Sequence, residues 1–147
     1  MVAQSLTLNP GICELTNALL NGQCSLHLIS GGFVELASYI ASKLGFQSFH
    51  ANTLLRSSGK LTGEVADPIV GAEAKYNYLL NTCKQSSIKP EHCMAVGDGA
   101  NDRLMLEAAG FALGYNPKPV LFDSLDGAVF GSFLPLTYLI ELNSRSF

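Results

Sequence analysis

The segment Met94-Ala95-Val96-Gly97-Asp98-Gly99-Ala100-Asn101-Asp102 constrains the fold more than any other part of the chain. Four apolar or small residues run into Gly-Asp-Gly, and Asn and Asp then stand where a helix should start. That order reads as a strand, a glycine turn and a helix N-terminus. The turn exposes carboxylates at the carboxyl end of the strand. The first N–H groups of a helix are unpaired and its dipole is positive there, so the same place favours anions. Such a site suits a divalent cation and a phosphate together.

The rest of the chain supplies the sheet this strand needs. Asn9-Pro10 followed by Ile12, Leu15, Ala18 and Leu19 predicts a helix with Asn9 as N-cap, Pro10 at its first position and Gly22 as its stop. Ser25–Ile29 reads as a short strand bounded by Ser30-Gly31-Gly32. Helical spacing returns from Phe33 to Leu44, with Gly45 as the stop. A strand over Gln47–Ala51 follows. Thr53–Arg56 and Leu61–Val65 flank Ser57-Ser58-Gly59-Lys60 as a hairpin, a flap over about residues 52–66. Gly71–Gln85 reads as a helix carrying Lys75. Then come strand Cys93–Val96, helix Asp102–Ala109, strand Phe111–Leu113, a short helix near Pro117–Asp123, strand Ala128–Phe130 and a last helix near Pro135–Leu142. Alternation of this kind predicts an α/β fold: a three-layer, Rossmann-like, mostly parallel sheet with helices on both faces, plus the small hairpin. Ligands of such sheets bind beyond the carboxyl ends of the strands.

The 147 residues suit one domain, and an apolar fraction of 48% supports a core. A net charge of −3 without a basic stripe gives no reason to expect nucleic acid. No apolar run approaches the ~20 residues of a membrane span, and Met1–Ser5 lacks the basic and long apolar regions of a secretory signal. The expected setting is cytoplasmic, with no membrane partner. Cys13, Cys24, Cys83 and Cys93 form no Cys-x-x-Cys pair; each sits in an apolar context and reads as a buried free thiol in a reducing compartment. Their spacing argues against zinc. His27, His50 and His92 are scattered and read as structural or surface residues.

Three places carry candidate chemistry. Ser30-Gly31-Gly32 offers a hydroxyl and exposed N–H groups for phosphoryl oxygens, or is an ordinary turn before a helix. Lys75 is a phosphate counter-charge, or one more solvated lysine on a helix. Asp98 leaves its strand directly and can ligate Mg²⁺, which favours carboxylate oxygens. Asp102 stands one turn on, where it either orients a lysine or caps the helix, as Asn101 can also do.

Taken together these residues resemble the haloacid dehalogenase superfamily of phosphohydrolases, and within it the phosphoserine phosphatase branch. Leu6-Thr7-Leu8-Asn9-Pro10-Gly11 with Glu14-Leu15, then Leu28-Ile29-Ser30-Gly31-Gly32-Phe33, looks like the family's second motif and its lead-in helix. Ala51-Asn52, Gly59–Val65, Pro68-Ile69-Val70 and Ala74-Lys75 look like its hairpin and third motif. Ala95–Asp102, with Met105-Leu106 and Ala108-Ala109-Gly110, looks like its fourth, and Lys118-Pro119 follows where the family has a similar pair. The resemblance implies hydrolysis of a phosphorylated small molecule, phosphoserine first. It implies that Ser30, Gly31 and Gly32 bind the phosphoryl group, that Lys75 neutralises it, that Asn101 helps place the substrate, that Asp98 ligates Mg²⁺, and that Asp102 holds Lys75.

One family feature has no counterpart. The first motif, Asp-x-Asp-x-Thr, supplies the nucleophile and general acid/base at the end of the central first strand, and no Asp-x-Asp occurs in the 147 residues. Asp123-Ser124-Leu125-Asp126 has the wrong spacing. The family's helical cap, which precedes the Leu6-Thr7-Leu8 segment, has no counterpart either. The expectation is an incomplete catalytic core with its central first strand missing, weak or absent Mg²⁺ binding, and negligible activity alone. The gap would be closed by direct pairing of the Ser25–Ile29 and Cys93–Val96 strands, by Val2–Leu8, or by a complementing chain or second copy, because open strand edges are costly. A non-catalytic phosphate-binding or interaction domain is the competing expectation.

Overall fold

A computed structural model describes residues 6–144 of the chain. They form two compact units: one runs to Val70 and is completed by the segment from Phe133, and the other spans Gly71–Ser132.

In the first unit a helix, α1 (Ile12–Asn21), leads to β1 (His27–Phe33), α2 (Val34–Leu44) and β2 (Ser48–Asn52). Strands β1 and β2 are parallel, from His27 opposite Ser48 to Ser30 opposite Ala51, with α2 as the crossover packed on both. Ala37, Ala41 and Leu44 recur at i, i+4 and i+7 and form the buried stripe of α2. Gly45 ends the helix in the left-handed region, φ 76°, where L side chains are strained. A hairpin follows, β3 (Leu54–Ser57) and β4 (Lys60–Val65). Its two-residue loop, Ser58 at φ 50° and Gly59 at φ 78°, has the positive angles that match strand twist. The C-terminal helix α5 (Leu134–Ser144) packs against α1.

In the second unit, α3 (Ala72–Gln85) is followed by β5 (Met94–Gly97), a 3₁₀ turn Ala100–Asp102 and α4 (Arg103–Ala108). Then come β6 (Phe111–Tyr115), a 3₁₀ stretch Pro119–Ser124 and β7 (Gly127–Val129). The three strands are parallel in the order β5-β6-β7. Ala95, Met105, Leu106, Ala112, Leu113, Leu121 and Cys83 make the core. Alternation in the sequence thus yields the expected α/β fold with mostly parallel pairing.

Several boundaries differ from expectation. Asn9 is not the N-cap of α1: Ile12 N–H bonds Asn9 O at 3.2 Å, Gly11 turns at φ 78°, and the helix starts at Ile12. Gly22 caps the end of α1 as expected, its N–H on Ala18 O at 3.0 Å, and the positive angle falls on the next residue, Gln23, φ 61°. Phe33 ends β1, 40% exposed, instead of opening the apolar face of α2. The strand expected to stop before Ser30 runs on to Phe33. Only Cys83 of the four cysteines is buried; Cys93 is half-buried, and Cys13 and Cys24 are exposed. A 3₁₀ turn at Pro90–His92 was not anticipated. Among the described residues β1 pairs with β2 and β5 with β6, so direct β1–β5 pairing does not occur. Leu6–Leu8 form no strand, and residues 2–5 lie outside the described residues.

Candidate functional site

The two sets of expected residues fall in different units and are taken in turn. In the first, Ser30-Gly31-Gly32 is neither a free loop nor an ordinary turn. Pairing passes from Ser30–Ala51 directly to Phe33–Asn52, so Gly31 and Gly32 bulge out of the ladder. Ser30 Oγ accepts the Gly32 N–H at 3.0 Å, which commits that N–H internally. The Ser30 hydroxyl keeps its proton to donate. Asn52, buried at the end of β2, fixes the bulge: its Nδ2 donates to Gly31 O at 2.8 Å and its Oδ1 accepts the Val70 N–H at 2.7 Å. Sequence reasoning gave Asn52 no role of its own. Its only signal there is a polar residue directly after an apolar strand.

In the second unit Lys75 rises from the second turn of α3 and is buried, not solvated. Its Nζ meets Asp102 Oδ1 at 2.6 Å, with both side chains under 10% exposed. Asp102 Oδ2 accepts the backbone N–H groups of Asp98 at 3.0 Å and Gly99 at 3.2 Å. Asp102 therefore holds the lysine and satisfies the N–H groups of the turn before it, whereas its side chain makes no cap bond to α4, whose N-cap position it occupies. Burial pushes the Asp102 carboxyl up, but the Lys75 hydrogen bond, the two N–H groups and the lysine charge pull harder, and it lies below its ordinary value. It is an anion at neutral pH and no general acid.

Gly97 makes this contact possible. A Cβ there would stand 2.5 Å from Asp102 Cβ and 2.8 Å from its Cγ. The main chain of Asp98 is held at both ends, its N–H by Asp102 and its carbonyl by the Lys118 N–H at 2.9 Å. Its side chain remains exposed, as does that of Asn101. The result is a carboxylate on a rigid strand end, aimed into solvent. It fits a hard cation as one ligand. Among the described residues no three His, Cys, Asp or Glu side chains gather into a metal-binding group, so Asp98 would be a single ligand.

A fold of parallel strands ending in a glycine-flanked aspartate, with a buried Lys–Asp pair behind it, defines a class. The haloacid dehalogenase-like hydrolase model matches residues 1–110, and the chain belongs to that family. Within it the similarity is to phosphoserine phosphatases. The phosphoserine phosphatase of Archaeoglobus fulgidus is 36% identical over 124 residues, which are 84% of this chain and 36% of that protein. The structure of a probable phosphoserine phosphatase from Vibrio cholerae superposes with a TM-score of 0.86 at 32% identity, covering 98% of this chain and 46% of that one. A phospho-aspartyl intermediate analogue of phosphoserine phosphatase superposes at 0.84, also at 32% identity, over 90% of this chain and 64% of that one. The chain thus spans little more than a third of the Archaeoglobus relative. Among the described residues no helix is long and apolar enough to cross a membrane.

Proposed function

We propose that this chain is the phosphate- and metal-positioning portion of a phosphoserine phosphatase-like phosphomonoester hydrolase acting in the cytoplasm. The Lys75–Asp102 pair, clamped to the Asp98–Gly99 backbone, carries the reading, because burying both ions is costly unless their placement matters. Lys75 sets a fixed positive charge against a transferring phosphoryl group, and Asp102 keeps the ammonium aimed. Asn101 contributes an exposed amide for the substrate, and Ser30 with the Gly31 N–H donates to phosphoryl oxygens. Gly32 serves that set through Ser30, whose lone pair its N–H occupies. Asp98 is the chain's ligand for Mg²⁺, which when bound supplies Lewis-acid neutralisation of phosphoryl charge.

The similarity to a protein solved as a phospho-aspartyl intermediate analogue supports a covalent route in the whole enzyme. No Asp-x-Asp occurs in this sequence, so on this reading the chain alone holds ligand without turning it over. Calorimetry with phosphoserine and Mg²⁺ tests the positioning role. Heat of binding at millimolar ligand, lost in Lys75→Met and weakened in Asp98→Asn, is expected. Absence of binding by the folded wild-type chain at millimolar ligand would sink it.

A further inference from the structure

The second unit holds a pair of thiols that the proposed chemistry does not use. Cys83 lies in the last turn of α3 and Cys93 immediately precedes β5. Their Sγ atoms are 3.3 Å apart, both thiols free. Cys83 is 4% exposed, while Cys93 is half-buried and so within reach of a small reagent. Cys13 and Cys24 are exposed, and the Cys24 thiol turns back on its own loop toward Gly22 O.

The position of the pair gives it a consequence. Helix α3 is tied to the chain on either side of β5 at two places: Lys75 to Asp102 beyond the carboxyl end of the strand, and Cys83 beside Cys93 before its start. Eight residues of helix, about 12 Å of rise, separate Lys75 from Cys83. A covalent bond between the sulfurs would fasten the far end of the helix that carries Lys75.

We propose that Cys83 and Cys93 form an intramolecular disulfide when the chain meets a small-molecule disulfide oxidant such as glutathione disulfide. The Cys93 thiolate, its proton released to solvent, attacks one sulfur of the oxidant; that S–S bond breaks and one glutathione thiolate leaves. The Cys83 thiolate, deprotonated in turn, attacks Cys93 Sγ, and the second glutathione thiolate leaves. Two electrons pass to the oxidant, and one bond joins the protein sulfurs. Burial, the Cys83 hydrogen bond and the Cys83 charge push the Cys93 thiol up to about 11, so the first step is slow at neutral pH and quickens about tenfold per pH unit below that value. Closing a loop of about eleven residues raises the folding equilibrium constant about a hundredfold.

The test treats the full chain, carrying Cys13→Ser and Cys24→Ser at the two exposed sites, with glutathione disulfide between pH 7 and 9 and maps tryptic peptides by mass spectrometry. The expected product is two hydrogens lighter, with the Cys83 and Cys93 peptides joined. It forms at a rate independent of protein concentration and rises with pH. Native-state hydrogen exchange of α3 amides in that product slows by up to a hundredfold. A stable glutathione adduct on Cys93 that Cys83 never displaces would overturn the proposal. So would a cross-link that forms only between chains, or a pair that stays reduced while the oxidant remains in excess.

Discussion

Replacing Lys75 by methionine removes one charge and keeps most of the side chain's length. What remains is a carboxylate, Asp102, that is 4% exposed and held only by two backbone N–H groups. Breaking a buried ion pair from one side costs about 3–5 kcal/mol, because the orphaned ion stays buried. With a urea slope of about 2 kcal/mol/M, the unfolding midpoint should fall by about 1.5–2.5 M. The chain has no tryptophan, so far-ultraviolet circular dichroism is the suitable signal. The loss should depend on pH. In the wild type the folded Asp102 carboxyl lies below its ordinary value, so its stabilisation is complete above that ordinary value and fades as pH falls through the folded one. In the variant burial is opposed only by two hydrogen bonds, the carboxyl rises, and protonation relieves part of the cost. The gap between the two proteins should therefore narrow between pH 7 and about pH 4. Adding Asp102→Leu to Lys75→Met removes the second ion, and the double variant should be at least about 2 kcal/mol more stable than the summed single effects imply. A Lys75→Met cost under about 1 kcal/mol, or additive single effects, would refute the reasoning.

Three further outcomes follow from other contacts. Gly97→Ala drives a Cβ to 2.5 Å from Asp102 Cβ and should displace the carboxylate, costing about 1–3 kcal/mol in urea unfolding and weakening ligand binding with it. Asn52→Ala leaves the Gly31 carbonyl and the Val70 N–H without their side-chain partner at about 1–3 kcal/mol each, which thermal unfolding would read as a fall in midpoint of several degrees. Burial holds the His27 imidazole below its ordinary 6.5, with Nδ1 on Ser48 Oγ at 2.7 Å and Nε2 buried without a partner. The unfolded chain takes up a proton there that the folded one refuses, so stability should be level above about pH 6.5 and decline below it, and His27→Gln should flatten that decline in midpoints measured from pH 7.5 to 5.5.

The order of helices and strands is legible in the sequence because hydrophobic period and glycine punctuation are local signals. Leu36, Ala37, Ile40 and Leu44 reveal α2, and Ser58-Gly59 reveals the hairpin loop. The run ending in Asp98 is legible for the same reason: a strand end, a turn and a helix start lie within nine residues. What depends on distant partners is not. Spacing alone leaves Lys75 as either a phosphate counter-charge or a solvated lysine, and its burial is decided by Asp102, twenty-seven residues away. Asn52 acts through backbone atoms eighteen and twenty-one residues away, which no spacing rule encodes. Cys13 and Cys24 look apolar by their sequence neighbours, yet both thiols end exposed: adjacent residues of a helix face different ways, which turns Cys13 outward on α1, and Cys24 lies in the loop after that helix. Ser30 to Gly32 reads as a turn because two glycines interrupt the apolar pattern; pairing with β2 resumes beyond them and makes a bulge instead.

The central claim is that this chain positions a phosphoryl group and a metal while the nucleophile comes from an Asp-x-Asp-x-Thr motif outside the sequence. The most direct measurement is release of inorganic phosphate from phosphoserine with Mg²⁺, by the chain alone and after adding a segment that carries that motif and a cap. No release by the chain alone, release on complementation, and its loss when the complemented chain carries Lys75→Met or Asp98→Asn are the predicted results. Turnover by the chain alone, or silence with every such partner while the protein remains folded, would contradict it.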